Sequence, residues 1–406
     1  MSVKFKWETE FKETEIGKIP KDWNIIKLGE LANIKTGKTN VQDAVENGKY
    51  PLFDRSGELK RSNKYLFDAE AVIVPGEGKD FLPKYYIGKF DLHQRTYAIF
   101  NFKSDLKGRY LYFAMFILRH YLKEWAVGST VLSLRLPIFK HLPIPLPPPP
   151  EQSRIATVLS WFDDLIENKK RQNEILEKVA MAIFKSWFVD FELFKNEEFV
   201  YNEELGKEIP KGWEVKKLGE FVSTQYGFTA SGEETGKIKL LRIKDINKAF
   251  VIDWDSVPFC NITNDIFPKY RLKNMDIVIS RIGDIGKVAI VENPPLSVFA
   301  SYLIRLKIKN HKLTPYYLYY WLKAPDYQEY IQGAAEGSTR PNTNAEVIKA
   351  GPILIPPSSL IEKFEEVVFP IRSKIILNQK QIMVLRKIRD ALLPKLVFGK
   401  LRVEEV

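Results

Sequence analysis

The chain has 406 residues, of which 45% are hydrophobic and 13% aromatic, and it carries a formal net charge of +11. That length exceeds what one hydrophobic core usually organises, so two domains plus connecting elements are expected, and so much apolar content excludes a disordered chain. The longest apolar run, residues 110–118, falls far short of the ~18 residues of a membrane span.

The opening residues alternate charge too early for a signal peptide. A lone cysteine, Cys260, excludes an internal disulfide, and the four histidines (His93, His120, His141 and His311) lie too far apart for a readable metal site. These features predict a reduced, cytoplasmic protein without membrane association. Lys plus Arg exceed Asp plus Glu by 7 in residues 1–150, by 3 in 203–355 and by 4 in 356–406, whereas residues 151–202 are acidic by 3. A basic surface is the electrostatic footprint of a nucleic-acid partner.

Taken in order, the chain repeats itself. Gly17-Lys-Ile-Pro20-Lys-Asp-Trp23 is echoed by Gly206-Lys-Glu-Ile-Pro210-Lys-Gly-Trp213, and Leu28-Gly29-Glu30 by Leu218-Gly219-Glu220. Segments 25–28 and 215–218 predict strands running into a short Leu-Gly-Glu helix. Short apolar runs at 71–74, 96–99, 276–279, 287–291 and 303–306, each bounded by Gly, Asn, Asp or Pro, read as further strands. The aromatic-rich stretches 109–121 and 315–322 read as packing helices, matched through Tyr110 and Tyr317, and Gly128-Ser-Thr130 is matched by Gly337-Ser-Thr339. Matching ends around a divergent interior suggest one scaffold presenting two different surfaces.

Each copy ends in a proline stop, Pro143-Ile-Pro-Leu-Pro-Pro-Pro-Pro150 and Ile353-Leu-Ile-Pro-Pro357. Proline fixes φ and lacks an N–H, so no helix continues through such a run. A long helical pattern follows each stop. One stripe is Ile155, Val158, Leu159, Phe162, Leu165, Ile166, Ile175, Leu176, Val179 and Ile183. The other is Phe364, Val367, Val368, Ile371, Ile375, Ile382, Leu385, Ile388 and Leu392. Steps of three and four give an apolar face. Helices this long are expected to bury these faces against each other, antiparallel and separate from the globular copies. Pro370 is expected to kink the second helix or mark its start. The domains expected are 1–148, 149–202 (first helix and connection), 203–357 and 358–406 (second helix and tail).

Candidate chemistry is sparse. Asn293-Pro-Pro-Leu296 approaches the Asn-Pro-Pro-aromatic motif of amino-methyltransferases, but lacks the aromatic, and no Gly-rich cofactor loop precedes it. A Pro-Pro turn after a strand is the favoured reading. Gly76-Glu-Gly-Lys-Asp80 lacks the spacing of a phosphate loop. No catalytic set, metal site or bound cofactor is expected. What remains is loops rich in long donors: Lys38, Asn40, Arg55, Lys60, Arg61 and Asn63 in the first copy. The second copy has Gln225, Tyr226, Lys237, Lys239, Arg242, Arg281, Arg340 and Asn342. Arg, Asn and Gln read base edges, while Lys and Thr hold phosphates.

With the duplicated Gly-Lys-Ile-Pro…Trp…Leu-Gly-Glu segments, Pro147-Pro-Pro-Pro-Glu151-Gln152 and the C-terminal Leu392-Leu-Pro-Lys-Leu396-Val-Phe-Gly399, the chain resembles the specificity subunits of type I restriction–modification enzymes over essentially its whole length. The second helix departs from the pattern, with Ser358 where Pro-Glu-Gln would stand. The resemblance implies an α+β protein with two similar target-recognition domains joined by two long antiparallel coiled-coil helices, as a pseudo-two-fold internal repeat. It implies double-stranded DNA as partner, each domain reading half of a split target. It also implies helices that dock two methyltransferase subunits, which would bind S-adenosylmethionine, and a restriction/translocase subunit. A helix from Glu151 to Trp187 would measure roughly 55 Å at ~1.5 Å per residue and set the spacing. Trp161, Trp187 and Phe188 are candidates for partner docking or for burial. Two other readings stay open: a scaffold that binds acidic partners without sequence reading, and a methyltransferase acting through Asn293-Pro-Pro.

Overall fold

The computed structural model describes residues 3–128, 130–247, 250–309, 312–334 and 342–406. Arg340, His311, Ser129 and the Gly337-Ser-Thr339 echo lie outside the described residues. The chain divides into two compact units, Met1–Ile166 with Leu385–Val406 (unit 1) and Glu167–Val384 (unit 2). Its principal helices are α1 (Gly108–Trp125), α2 (Pro149–Phe188), α3 (Pro315–Lys323) and α4 (Ser358–Val397).

Unit 1 is built on a six-stranded sheet in the order Asn33–Thr36, Thr96–Phe100, Phe67–Pro75, Lys84–Leu92, Tyr50–Phe53, Lys60–Ser62. All neighbours are antiparallel except Tyr50–Phe53 beside Lys84–Leu92. Both faces of the central strand are covered, which is why 71–74 is a continuous apolar run. Val72 and Val74 join the core under α1, with Tyr110, Phe113 and Leu118, while Ala71 and Ile73 join Phe53, Phe67, Phe90 and Phe100 on the other face. The side-chain alternation of a strand assigns them so. The proline stop is itself a strand, Pro143–Leu146, paired antiparallel with Asn24–Lys27. Proline is tolerated there because this ladder has only two strands. Lys4–Trp7 pairs with Leu401–Glu405.

Unit 2 repeats this plan with one interruption. Its four-stranded sheet runs Val222–Tyr226, Leu303–Ile308, Ile277–Ser280, Val288–Ile290, and a three-stranded sheet runs Phe259–Cys260, Ile238–Leu241, Ser297–Phe299. Laid end to end, these match the six-stranded sheet strand for strand, including the parallel pair Ile238–Leu241 with Ser297–Phe299. The long strand Lys84–Leu92 has become two, Val288–Ile290 and Ser297–Phe299. Asn293-Pro294-Pro295 lies at that break: Asn293 has φ +47° and its N–H bonds to Asn274 Oδ1. Two prolines cannot donate to a ladder, so the segment is a strand break. Extra residues at 242–258, against 54–59 in unit 1, account for part of the growing offset of the repeat.

The echoed motifs have common physical causes. Leu28 N–H donates to Leu142 O, and Leu218 N–H to Gly351 O. A Cβ on Gly29 would stand 3.0 Å from Lys140 Cβ, and one on Gly219 2.9 Å from Lys349 Cβ. Glycine thus fits the close approach of the Leu-Gly-Glu turn to Leu136–His141 in unit 1 and to Ala345–Ala350 in unit 2. Tyr110 Oη donates to Pro145 O at 2.8 Å, and Tyr317 Oη to Leu354 O at 2.6 Å, tying each aromatic helix to its proline strand.

The two long helices are antiparallel within each unit. In unit 1 Asp163 pairs with Arg389, while Arg154 meets Val403. In unit 2 Lys169 meets Gln381, Asn173 meets Asn378, Glu177 meets Arg372, and Phe184 meets Phe364. They are not separate from the globular parts. Ile155, Val158 and Leu159 share a core with Trp23 and Tyr110, and Phe184 and Phe188 share one with Tyr317 and Trp213. Phe188 is therefore buried, and Trp187 lies partly buried against it and Phe364.

The buried faces of α2 and α4 also differ from the expected stripes. Ile175, Val179, Val367 and Ile388 are exposed, as are Leu165, Phe369, Leu377 and Val384, while Asn173, Glu177, Arg372 and Asn378 are buried. Spacing by three and four fits more than one face of these helices, and only the partner determines which one is inside. Pro370 lies within α4 rather than at its start.

Candidate nucleic-acid interface

At one edge of the unit 1 sheet, three loops are locked into a single frame. Lys38 and Thr39 donate backbone N–H groups to Leu92 O, Gln94 N–H donates to Thr39 O, Thr96 N–H to His93 O, and His93 N–H to Phe53 O. Beneath them Asp91, 1% exposed, accepts Thr39 Oγ1 at 2.8 Å, Ser62 Oγ at 2.9 Å and its neighbour's N–H at 2.9 Å. A buried carboxylate with all these donors is fully paired, which rigidifies what it touches. A side chain on Gly37 would collide with Leu92 O, so the approach of loop 37–40 to turn 92–96 requires glycine.

Two flanking contacts complete the edge. Arg55 Nη1 and Arg95 Nη1 share the Glu77 carboxylate, the former at 2.9 Å. Lys84 Nζ holds Ser56 O at 2.8 Å. Burial pushes the Lys84 ammonium below its usual pKa. Burial likewise lowers His93, with Arg55, Arg95 and Lys60 adding to it against Asp54. A neutral His93 is what the turn uses, since its Nδ1 accepts Arg95 N–H at 3.1 Å.

Of the expected unit 1 residues, Lys38, Asn40 and Arg55 lie on this edge, with Asn40 accepting from Gln94 Nε2 at 2.6 Å. Lys60 is turned inward onto the buried Asp54 at 2.5 Å. Arg61 spends its Nε on Gly48 O and an Nη on Lys49 O, and Asn63 is exposed just after the last strand. Composition did not single out Gln94 and Arg95, although both are exposed at the tip of the turn. The polar run His93-Gln-Arg-Thr96 between two apolar strands was the available signal.

Unit 2 builds the same frame. Phe228 N–H donates to Phe299 O, Ser301 N–H to Phe228 O, Leu303 N–H to Ala300 O, and Gly227 N–H to Leu303 O. A side chain on Gly227 would strike Ala300 O, as one on Gly37 strikes Leu92 O. Thr343 N–H donates to Arg281 O where Leu134 N–H donates to Gly76 O.

Tyr226, Arg281 and Asn342 come together here. Ala345 N–H bonds Tyr226 Oη at 3.0 Å, the Arg281 guanidinium sits 5.2 Å from the Tyr226 ring, and Asn342 bridges to Ile282. Gln225 instead serves the interior: it accepts from the buried Arg305 and donates to Lys269 O at 2.9 Å. Arg242, next to the Leu241 carbonyl that accepts Ala300 N–H, makes a bidentate pair with Asp245, and Lys239 bonds Val257 O at 2.6 Å over the Phe259 ring. Lys237 is exposed beside that strand. Among the described residues no cluster of three or more His, Cys, Asp or Glu side chains is arranged to hold a metal ion, and no helix is long and apolar enough to cross a membrane.

The comparisons with known proteins agree with this duplicated plan. The family model for the type I restriction modification DNA specificity domain matches twice, over residues 20–178 and 210–385. The type I restriction enzyme MjaIX specificity subunit of Methanocaldococcus jannaschii is 41% identical across 100% of this chain and 99% of its own length, and the MjaVIII specificity subunit of the same organism is 26% identical over the same shares. Among solved structures, a type I restriction-modification system S subunit from M. genitalium superposes with a TM-score of 0.54 at 20% identity, covering 92% of this chain and 96% of that one, a likeness of fold. Two family domains in tandem and a full-length relative at this identity place the chain in the family of type I restriction–modification specificity subunits.

Proposed function

We propose that this chain reads a bipartite, non-palindromic double-stranded DNA target, one half-site per unit, for a type I restriction–modification complex. The observation that carries this reading is one hydrogen-bonded edge built twice with unlike exposed side chains: a common frame positions, and different tips specify. The excess of basic residues in both globular segments supports contact with phosphates.

In this reading α2 and α4 set the spacing between half-sites, about one turn of DNA or somewhat more. Their exposed Ile175, Val179, Phe369 and Val384 dock two methyltransferase subunits, and a restriction/translocase subunit joins them. Methyl transfer from S-adenosylmethionine belongs to those partners in the cytoplasm, and this chain supplies no catalytic group. The test is mapping of adenine methylation in host DNA, with the methyltransferase subunit present, when α2 and α4 are lengthened together by whole turns. The expected result is the same two half-sites with a longer spacer. An unchanged spacer rules out the ruler, and no split motif with the unaltered chain favours a scaffold that reads no sequence.

A further inference from the structure

The two edges correspond position by position and differ in one element. The turn that the frame holds out is His93-Gln94-Arg95 in unit 1 and Ala300-Ser301-Tyr302 in unit 2. Its backbone bonds are the same in both: Gln94 N–H to Thr39 O at 3.1 Å and Ser301 N–H to Phe228 O at 2.9 Å, with Thr96 N–H to His93 O at 3.0 Å and Leu303 N–H to Ala300 O at 2.9 Å. The frame is therefore independent of the two tip side chains, which are chemically unlike: an exposed amide and an exposed guanidinium in one unit, a half-buried hydroxyl and a 54% exposed phenol in the other. A rigid backbone presenting interchangeable side chains is the arrangement that direct base readout needs.

Resting on the DNA-reading function proposed above, we infer that this tip dipeptide is the specificity-determining element of each half-site, and that Asn40 with Gln94 reads an adenine. Gln94 Nε2 donates to Asn40 Oδ1 at 2.6 Å. In that arrangement the Asn40 NH2 group and the Gln94 carbonyl are the amide groups this bond leaves over, and Gln94 is exposed. A donor beside an acceptor is the pair that N7 and N6–H of adenine present partners for in the major groove. In unit 2, Tyr302 offers an apolar ring suited to a thymine methyl. Its neighbour Ser301 is braced by Arg281 Nε on the Ser301 carbonyl at 3.0 Å.

The test uses the full chain assembled with its methyltransferase subunits, read by base-resolved methylation mapping and by binding to DNA duplexes that carry the mapped motif or single-base changes. Q94S/R95Y is expected to change one or two positions of one half-site and leave the other half and the spacer intact, and Tyr302→Ala to do the reverse. Gln94→Glu, which keeps side-chain size and removes the donors, is expected to reduce discrimination at one A·T pair by about 5- to 150-fold. It also decides the matter if Q94S/R95Y does not assemble. An unchanged motif in Gln94→Glu and Tyr302→Ala, or a loss equal on specific and nonspecific duplexes, overturns the assignment. A split motif that maps with the unaltered chain keeps the parent reading in place when the tip assignment fails.

Discussion

Arg372 Nη1 donates to Glu177 Oε2 at 2.6 Å with both side chains out of solvent, joining α4 to α2 inside unit 2. The same guanidinium bonds the buried Glu292, which lies next to the Asn293-Pro-Pro strand break, and Tyr319, Tyr320 and Lys323 complete the shell around Glu177. Burial opposes the Glu177 carboxylate, but Arg372 and Lys323 outweigh it and hold its pKa below the usual range.

Removing Arg372 should therefore take the guanidinium from the buried Glu292, which keeps the Tyr316 hydroxyl, and leave Glu177 with Lys323, Tyr319 and Tyr320. Arg372→Met is expected to destabilise unit 2 by about 3–5 kcal/mol, the range for breaking one side of a buried ion pair. Chemical denaturation checks it, and a loss under 1 kcal/mol would show that the carboxylates find other partners.

The buried pair of Asn378 Nδ2 on Asn173 Oδ1, at 2.9 Å, predicts the opposite sign. Among the described residues Asn378 Oδ1 is buried without a partner, so the pair carries a desolvation cost that apolar residues would lack. Buried asparagines between helices set register at the expense of stability. N173L/N378L should raise the thermal midpoint of unit 2 by a few degrees, and a lower midpoint would mean that the pair is net stabilising.

Gly37 and Gly227 occupy equivalent close approaches to backbone carbonyls. Alanine at either must displace backbone, at a cost of about 1–3 kcal/mol. Gly37→Ala is expected to damage recognition of one half-site only and Gly227→Ala the other, read by methylation mapping. Loss of both half-sites from either change would show that the frame supports the whole chain.

Acidification should loosen the unit 1 tip first. Because the folded state lowers the His93 pKa, the unfolded state binds the proton more readily, and the contribution is fully present above the ordinary histidine pKa near 6.5 and lost as pH falls below it. Protonation would also remove the Nδ1 acceptor of Arg95 N–H. Following the four histidine rings by NMR should show His93 titrating below 6.5, and a midpoint at or above it contradicts this account. The lowered Glu177 carries the same sign at more acid pH, adding stability above its unfolded pKa that is lost as pH falls through the folded one.

The sequence by itself determined the repeat, the strand cores and the two long helices. These follow from local rules: apolar runs bounded by turn residues make strands, proline ends a segment, and glycine marks close approach, as at Gly29 and Gly219. Only the tertiary structure decided which donors face outward. Lys60, Arg242 and Gln225 look like readers in the sequence, yet Asp54, Asp245 and Arg305 engage them. Gln94-Arg95 and Ser301-Tyr302 carry no periodic signal, because a turn becomes a rigid tip through hydrogen bonds to residues distant in sequence, such as Gln94 to Thr39. The helix faces follow the same logic. Spacing by three and four marks several apolar faces, but the buried middle of unit 2 is Glu177 with Arg372, 195 positions apart, and a charge at such a position is tolerated only once its partner is in place.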